Sequence, residues 1–218
     1  MGSTVGLRRG ADGAGVKALC VFVHGRGQSP EEMEDHVLKR LGASNVAIAL
    51  PRATRGAWYD ARAVDSLTDV TRKQLAESLQ VLGAEIAALR GDYPGLPLLL
   101  GGFSQGACLS LEYVCQGRDP PDALVALTGC RVGTMDCDRP AAAPAQLPVY
   151  LSGSDADPWI PLTATAEAVL ALGRQRAQLR ADLFPGRGHE VSAAEISILD
   201  GVLADLSSGY PPRFIAAR

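Results

Sequence analysis

The chain has 218 residues and a formal net charge of −3, with 47% hydrophobic, 21% charged and 5% aromatic residues. That length supports one domain whose core buries roughly 70% of the surface the unfolded chain exposes. The near-neutral charge, the lack of a basic stripe and the scarcity of aromatics exclude a nucleic-acid reader and a protein drawn to anionic membrane, and no apolar run is long enough for a bilayer-spanning helix.

Residues 1–15 are glycine-rich and polar, without the apolar centre of a secretory signal. Thr4 to Arg9 reads as an edge strand, and Val16 to Val23 as a buried strand ending at His24-Gly25-Arg26-Gly27. Ser29, Pro30 and Glu32 announce a helix: a hydroxyl cap, a proline at the first position and a carboxylate three residues beyond the cap. It is expected to run to about Leu41 and stop at Gly42. Asn45 to Leu50 is the next strand, ended by Pro51, and the loop after it carries Trp58-Tyr59-Asp60. Leu75, Leu79, Leu82, Ile86 and Leu89 recur at steps of three and four, which predicts a long helix with one buried stripe.

Leu96 to Phe103 reads as a strand, Ala107 to Cys115 as a helix, and Ala123 to Leu127 and Val149 to Leu151 as two further strands. Thr163 to Leu172 is a helix and Leu179 to Phe184 the last strand. Ser192 and Glu195 form a second capping box before a final helix with Ile198, Leu199, Val202, Leu203 and Leu206 on one face. Strands alternating with helices predict the α/β class: a mainly parallel central sheet with helices on both faces. The connections are too short for a large lid domain. Residues 1–218 are therefore expected to form a single domain, flanked by the glycine-rich segment 1–15 and a tail, 209–218. The apolar stretch Tyr210 to Ile215 could dock on its own domain or on a second copy, which leaves a homodimer open.

Chemistry concentrates at Gly102-Phe103-Ser104-Gln105-Gly106. A strand, a very tight turn and a helix put Ser104 at the apex of a nucleophile elbow, with glycines where side chains would collide. A serine hydroxyl needs a base, and the base needs an orienting acid. His189 lies in the glycine-rich Gly186-Arg187-Gly188, and between it and Ser104 comes Ser154-Asp155-Ala156-Asp157-Pro158. The order Ser, Asp, His is that of α/β-hydrolases; the residues alone leave Asp155 and Asp157 competing for the acid. His24 reads as a strand-end residue bonded to backbone. Asp136, Asp138, Arg131 and Arg139 read as a solvated charged loop.

Five cysteines, odd in number and without a C-x-x-C pair, predict reduced thiols and a cytoplasmic location. Cys108 and Cys115 are two helical turns apart, too far for a disulfide. The spacing of Cys130 and Cys137 matches no usual zinc pattern.

His24-Gly25-Arg26-Gly27, Trp58-Tyr59-Asp60, Gly102 to Gly106, Asp155-Ala156-Asp157-Pro158 and Gly188-His189 together resemble the phospholipase/carboxylesterase family of small α/β-hydrolases, bacterial carboxylesterases and acyl-protein thioesterases among them. The likeness covers about Val16 to Leu206. It implies an α/β-hydrolase fold and a serine esterase whose triad is Ser104, Asp157 and His189. It places the oxyanion donors on the backbone N–H groups of Arg26 and Gln105. The chain departs from thioesterase-like members at Gln28, where they carry an acid, and at Ala107, where they often carry glycine.

Trp58, Tyr59, Met135, Trp159 and Ile160 fall in loops after strand C-terminal ends, where ligands gather in open α/β sheets, and are the candidate pocket residues. The partner this reading implies is a small-molecule ester of small to medium acyl chain, or a thioester handled by the same residues. It calls for no metal and no organic cofactor. A hydrolase-fold binding protein with vestigial chemistry is the rival from another class.

Overall fold

The computed structural model describes residues 6–214. Its centre is a sheet whose middle strands are apolar without interruption, because they are covered on both faces. The strands are β1 (Leu7–Gly10), β2 (Ala18–Val23), β3 (Val46–Leu50), β4 (Leu98–Phe103), β5 (Ala123–Leu127), β6 (Pro148–Gly153) and β7 (Gln178–Leu183), in spatial order β1-β3-β2-β4-β5-β6-β7. Only β1 runs antiparallel, pairing Leu7 with Leu50 and Gly10 with Ala47. β2 lies parallel between β3 and β4, with Val21 opposite both Ala49 and Leu100.

Successive side chains of a strand face opposite layers. On β4, Leu98 and Leu100 enter one core with Leu82, Ile86 and Leu89 of α2 (Asp69–Asp92) and Leu109 of α3 (Gln105–Cys115). Leu99 and Phe103 enter the other with Met33 of α1 (Pro30–His36) and Ile198, Leu199, Val202 and Leu203 of α5 (Ala193–Ser207). Helix α4 (Leu162–Arg174) adds Ala168 and Leu172 to the first core.

Three elements differ from expectation. Helix α1 stops at His36 and continues as a 3-10 turn, Leu38–Arg40, rather than as an unbroken helix to Leu41. Ser29 still caps it, accepting from the Glu32 N–H at 3.2 Å. On α2, Ser78 is fully packed where Leu79 is only half-buried, since the Ser78 hydroxyl donates to the Trp58 carbonyl. The edge strand begins at Leu7; Thr4 and Val5 lie outside the described residues. The tail folds back on its own domain: Phe214 is buried with its ring 6.4 Å from that of Tyr150, and the Arg213 N–H donates to Asp205 at 2.9 Å. Ile215 lies outside the described residues.

The strand order sets the position of the site. After β2 the chain builds outward through β3 to β1's side, then returns with β4 on β2's other side. The crevice between the C-terminal ends of β2 and β4 is the switch point at which open α/β sheets bind ligands.

Candidate active site

Ser104 joins β4 to α3 with φ 55° and ψ −121°, a conformation an L-residue adopts only under constraint. The constraint is visible on both sides. A Cβ on Gly102 would sit 2.5 Å from the Gly106 carbonyl carbon, and one on Gly106 would sit 2.1 Å from the Val23 carbonyl oxygen. Glycine at both positions lets the first turn of α3 press against the end of β2. The Ser104 N–H donates to the Leu127 carbonyl at 3.0 Å, tying the elbow to β5.

His189 Nε2 lies 2.8 Å from Ser104 Oγ, and His189 Nδ1 lies 2.7 Å from Asp157 Oδ2. A carboxylate only accepts, so the Nδ1 proton points to Asp157 and Nε2 is left to accept the serine proton. Asp157 Oδ1 accepts the N–H groups of Trp159 at 2.8 Å and Ile160 at 2.9 Å. Both carboxylate oxygens are thus assigned. The Phe103 ring packs against the imidazole at a tilt of 40°, centroids 4.9 Å apart. Asp155 is engaged elsewhere. Its Oδ1 accepts the Gly186 N–H at 2.7 Å and so clips the loop that bears the histidine.

Arg26 and Gln105 line the same cleft as Ser104, and neither backbone N–H is committed to another group among the described residues. Their side chains brace the same loop. Gln105 Oε1 accepts the Trp58 N–H at 2.9 Å, and its Nε2 donates to the Tyr59 carbonyl at 2.7 Å. The Arg26 guanidinium donates to the carbonyls of Tyr59 at 2.9 Å and Ala61 at 2.6 Å. Gln28 steadies the turn from beneath, its Oε1 accepting the Gly25 N–H at 3.1 Å. His24 Nε2 accepts the Ala53 N–H at 3.0 Å, so its proton is on Nδ1, facing the Gly25 carbonyl at 2.7 Å. Burial holds the His24 pKa below its ordinary value.

Above the serine lies a cleft of about 490 Å³ with largely apolar walls that include Tyr59, Val64, Cys108, Trp159, Ile160 and Pro161. Tyr59 and Ile160 are buried in the wall, and Trp159 stands at the mouth, 66% exposed.

The Phospholipase/Carboxylesterase sequence profile matches residues 11–206. The chain belongs to the phospholipase/carboxylesterase family. Among solved structures, a phospholipase/carboxylesterase from Dyadobacter fermentans DSM 18053 is 27% identical, with a TM-score of 0.81 over 93% of this chain and 97% of that one. Esterase PE8, 22% identical, and Zea mays acyl-protein thioesterase 2, 20% identical, share the fold with TM-scores of 0.75 and 0.70. Each covers 93% of this chain and 98% of its own. No curated protein matches the chain. Family membership makes the protein a hydrolase of the carboxylesterase kind, and among the described residues no helix is long and apolar enough to cross a membrane.

Two expected pocket residues do not line the cleft. Trp58 is 4% exposed and packs beneath the oxyanion loop, its indole N–H donating to the His24 carbonyl at 2.9 Å. Its indole donor and both of its backbone polar groups are taken, which makes it a prop rather than a wall. Met135 is 64% exposed on the outer turn closed by the Cys137 N–H to the Thr134 carbonyl. The reason lies three and four residues upstream, where the chain dives inward: Arg131 pairs with Glu112 at 2.6 Å, and the Val132 N–H donates to the same carboxylate at 2.9 Å. The turn that follows carries Met135 away from the cleft. The charged loop is therefore not wholly solvated, since Arg131 is buried with its partner and Arg139 pairs with Glu167 at a nearly covered site.

Other residues carry roles that the sequence does not announce. Arg187, two residues before the histidine, is buried against Glu195, donates to Thr128 Oγ1 at 2.8 Å and lies 4.8 Å over the Phe184 ring. Glu195 also receives the Ser152 hydroxyl and the Ser192 N–H, the latter at 2.7 Å. The Ser154 hydroxyl donates to the Arg187 carbonyl, joining the acid's loop to the base's loop. The one signal in the sequence is a large cation inside a glycine-rich turn, where nothing local needs it.

Proposed function

We propose that the protein is a serine hydrolase cleaving carboxylic esters of small to medium acyl chains through an acyl-enzyme. The observation that carries this reading is the unbroken chain of short hydrogen bonds from Asp157 through His189 to Ser104 on the floor of an apolar cleft. Ser104 Oγ attacks the ester carbonyl as His189 Nε2 takes its proton. Asp157 stabilises the imidazolium and holds its orientation. The N–H groups of Arg26 and Gln105 receive the oxyanion of the tetrahedral intermediate. His189 then returns the proton to the leaving alcohol, and a water activated by the same nitrogen hydrolyses the acyl-enzyme. Tyr59, Trp159 and Ile160 contact the apolar part of the substrate. The cysteines are all free among the described residues, as a reducing cytoplasm would keep them.

Ser104→Ala tests the mechanism. Turnover of a short-chain aryl ester should fall by roughly 10⁴–10⁶-fold, as when a triad nucleophile is removed, and a fluorophosphonate should no longer label the protein. Wild-type activity in the purified variant would overturn the reading, and wild-type protein that resists the probe would favour a binding protein. Oxygen and thiol esters of one acyl chain, compared side by side, decide between esterase and thioesterase.

A further inference from the structure

One wall of the cleft carries sulfur that ester hydrolysis does not use. Cys108, in the first turn of α3 and one helical turn beyond Ser104, lines the cleft. Its Sγ lies 3.8 Å from that of Cys130. The approach is built into the backbone. Cys130 follows β5 through Gly129, where a Cβ would stand 2.7 Å from the Ala107 Cβ. Bare glycine lets the segment after β5 settle onto the first turn of α3 and brings the two sulfurs into contact.

Two groups of Cys130 converge on the Cys108 sulfur: its thiol, whose Sγ is also within reach of the Ala63 carbonyl at 3.9 Å, and its backbone N–H, which donates at 3.3 Å. A neutral thiol is a weak acceptor and needs no such company, whereas a thiolate does. The hydrogen bond from Cys130 is the foremost cause holding the Cys108 thiol below its ordinary range. Its donation to Cys108, followed by burial, pushes the Cys130 thiol up. Burial also pushes the phenol of Tyr59, which lines the same cleft, up, so it stays protonated. Cys20 and Cys115 lack this arrangement, and burial raises their thiols to about 12 and about 11.

We propose that Cys108 and Cys130 form a hydroperoxide-oxidisable dithiol in the wall of the active-site cleft. The Cys108 thiolate attacks one oxygen of hydrogen peroxide. An S–O bond forms, the O–O bond breaks, and the expelled hydroxide takes a proton to leave as water, so sulfur is oxidised to a sulfenic acid while peroxide is reduced. The Cys130 sulfur then attacks the Cys108 sulfur. An S–S bond forms, the S–O bond breaks, and the departing hydroxide leaves as a second water with the Cys130 proton. Closing the contact from 3.8 Å to a disulfide length of about 2.05 Å brings the two sulfurs together by less than about 2 Å. The reaction uses no part of the triad, so it stands apart from the proposed esterase activity.

The test starts with reduced, folded wild-type protein and its Ser104→Ala variant, each exposed to hydrogen peroxide, alkylated to block remaining thiols, digested and mapped by mass spectrometry. Both should yield a Cys108–Cys130 cross-linked peptide that a dithiol reductant resolves, with Cys20 and Cys115 still alkylated. Cys130→Ser should halt the sequence at the first step and leave a Cys108 sulfenic acid that dimedone traps. Cys108 and Cys130 still fully alkylatable at a peroxide dose that oxidises the half-exposed Cys137 would overturn the proposal, and so would a Cys108 that oxidises without linking to Cys130. The wild-type result decides the matter even if a variant fails to fold.

Discussion

Asp157→Asn is the sharpest probe of the proposed relay, because the structure dictates how the new side chain must sit. Asp157 Oδ1 accepts two backbone N–H groups, from Trp159 and Ile160. An asparagine keeps both bonds only by placing its carbonyl oxygen there, which aims its NH₂ at His189 Nδ1. Two donors cannot face each other, so the imidazole shifts its proton to Nε2. That nitrogen then meets the Ser104 hydroxyl as a donor and can no longer take its proton. The loop keeps its two anchoring bonds, so stability should change little. Loss of the base through the wrong tautomer costs about 10⁴-fold in turnover in the serine protease triad, equivalent to about 5.4 kcal/mol in the barrier. The assay is steady-state hydrolysis of a short aryl ester, with the thermal midpoint measured in parallel. An unchanged midpoint with turnover within tenfold of wild type would refute the assignment of Asp157 as the orienting acid. Asp155→Asn should spare the tautomer and show a far smaller loss.

Arg187→Met should cost about 3–5 kcal/mol in urea unfolding, the usual effect of stranding one member of a buried ion pair, here Glu195, which is fully buried. Adding Glu195→Gln should restore part of the loss; strictly additive costs would show that the two are uncoupled. Gly106→Ala should cost about 3 kcal/mol or more by overpacking, because its Cβ would meet the Val23 carbonyl at 2.1 Å; wild-type stability in denaturant would refute the close approach at the elbow. His24 links stability to pH. Its folded pKa is depressed, so its contribution is complete above its ordinary value of 6.5 and is lost as the pH falls below it, while the unfolded chain takes up the proton first. Between pH 7 and pH 5 the wild type should lose stability more steeply than His24→Asn, by at most about 1.4 kcal/mol per pH unit for one proton; parallel slopes would contradict this.

Much of this architecture is legible in the sequence because its signals are local. The elbow glycines, the Ser192–Glu195 capping box and the stripe on α2 depend on neighbours within a few residues, and the rules of backbone sterics and helix periodicity act at that range. The α/β class follows from alternation alone. What escapes depends on contacts between distant segments. Trp58 reads as a pocket aromatic, and nothing near it in sequence reveals that Gln105 and Ser78 hold its backbone from 47 and 20 residues away. The place of Met135 after a strand points it to the cleft; the inward pull of Arg131 on Glu112, 19 residues earlier, decides otherwise. The pairing of Cys108 with Cys130 spans 22 residues and turns on a single missing Cβ at Gly129.

The strand order also explains why so much of the site is held by polar contacts. The serine leaves β4, the acid β6 and the base β7, and β7 lies three strands from β4. At about 4.8 Å between neighbours, the histidine's loop must reach back roughly 14 Å along the sheet's rim. Packing cannot fix a segment there, because a loop at the rim is backbone-rich and faces the cleft, where an apolar filler would strand unpaired carbonyls and amides. Hydrogen bonds at defined angles can. Asp155 takes the Gly186 amide, Ser154 takes the Arg187 carbonyl, and the Arg187 side chain runs inward to Glu195 at the N-terminus of α5. A leucine at 187 could fill the same volume but would have no group to give Thr128 or Glu195. The buried arginine is therefore better understood as the fixed point from which the imidazole is suspended than as a source of net stability, since a buried ion pair is weak evidence for that.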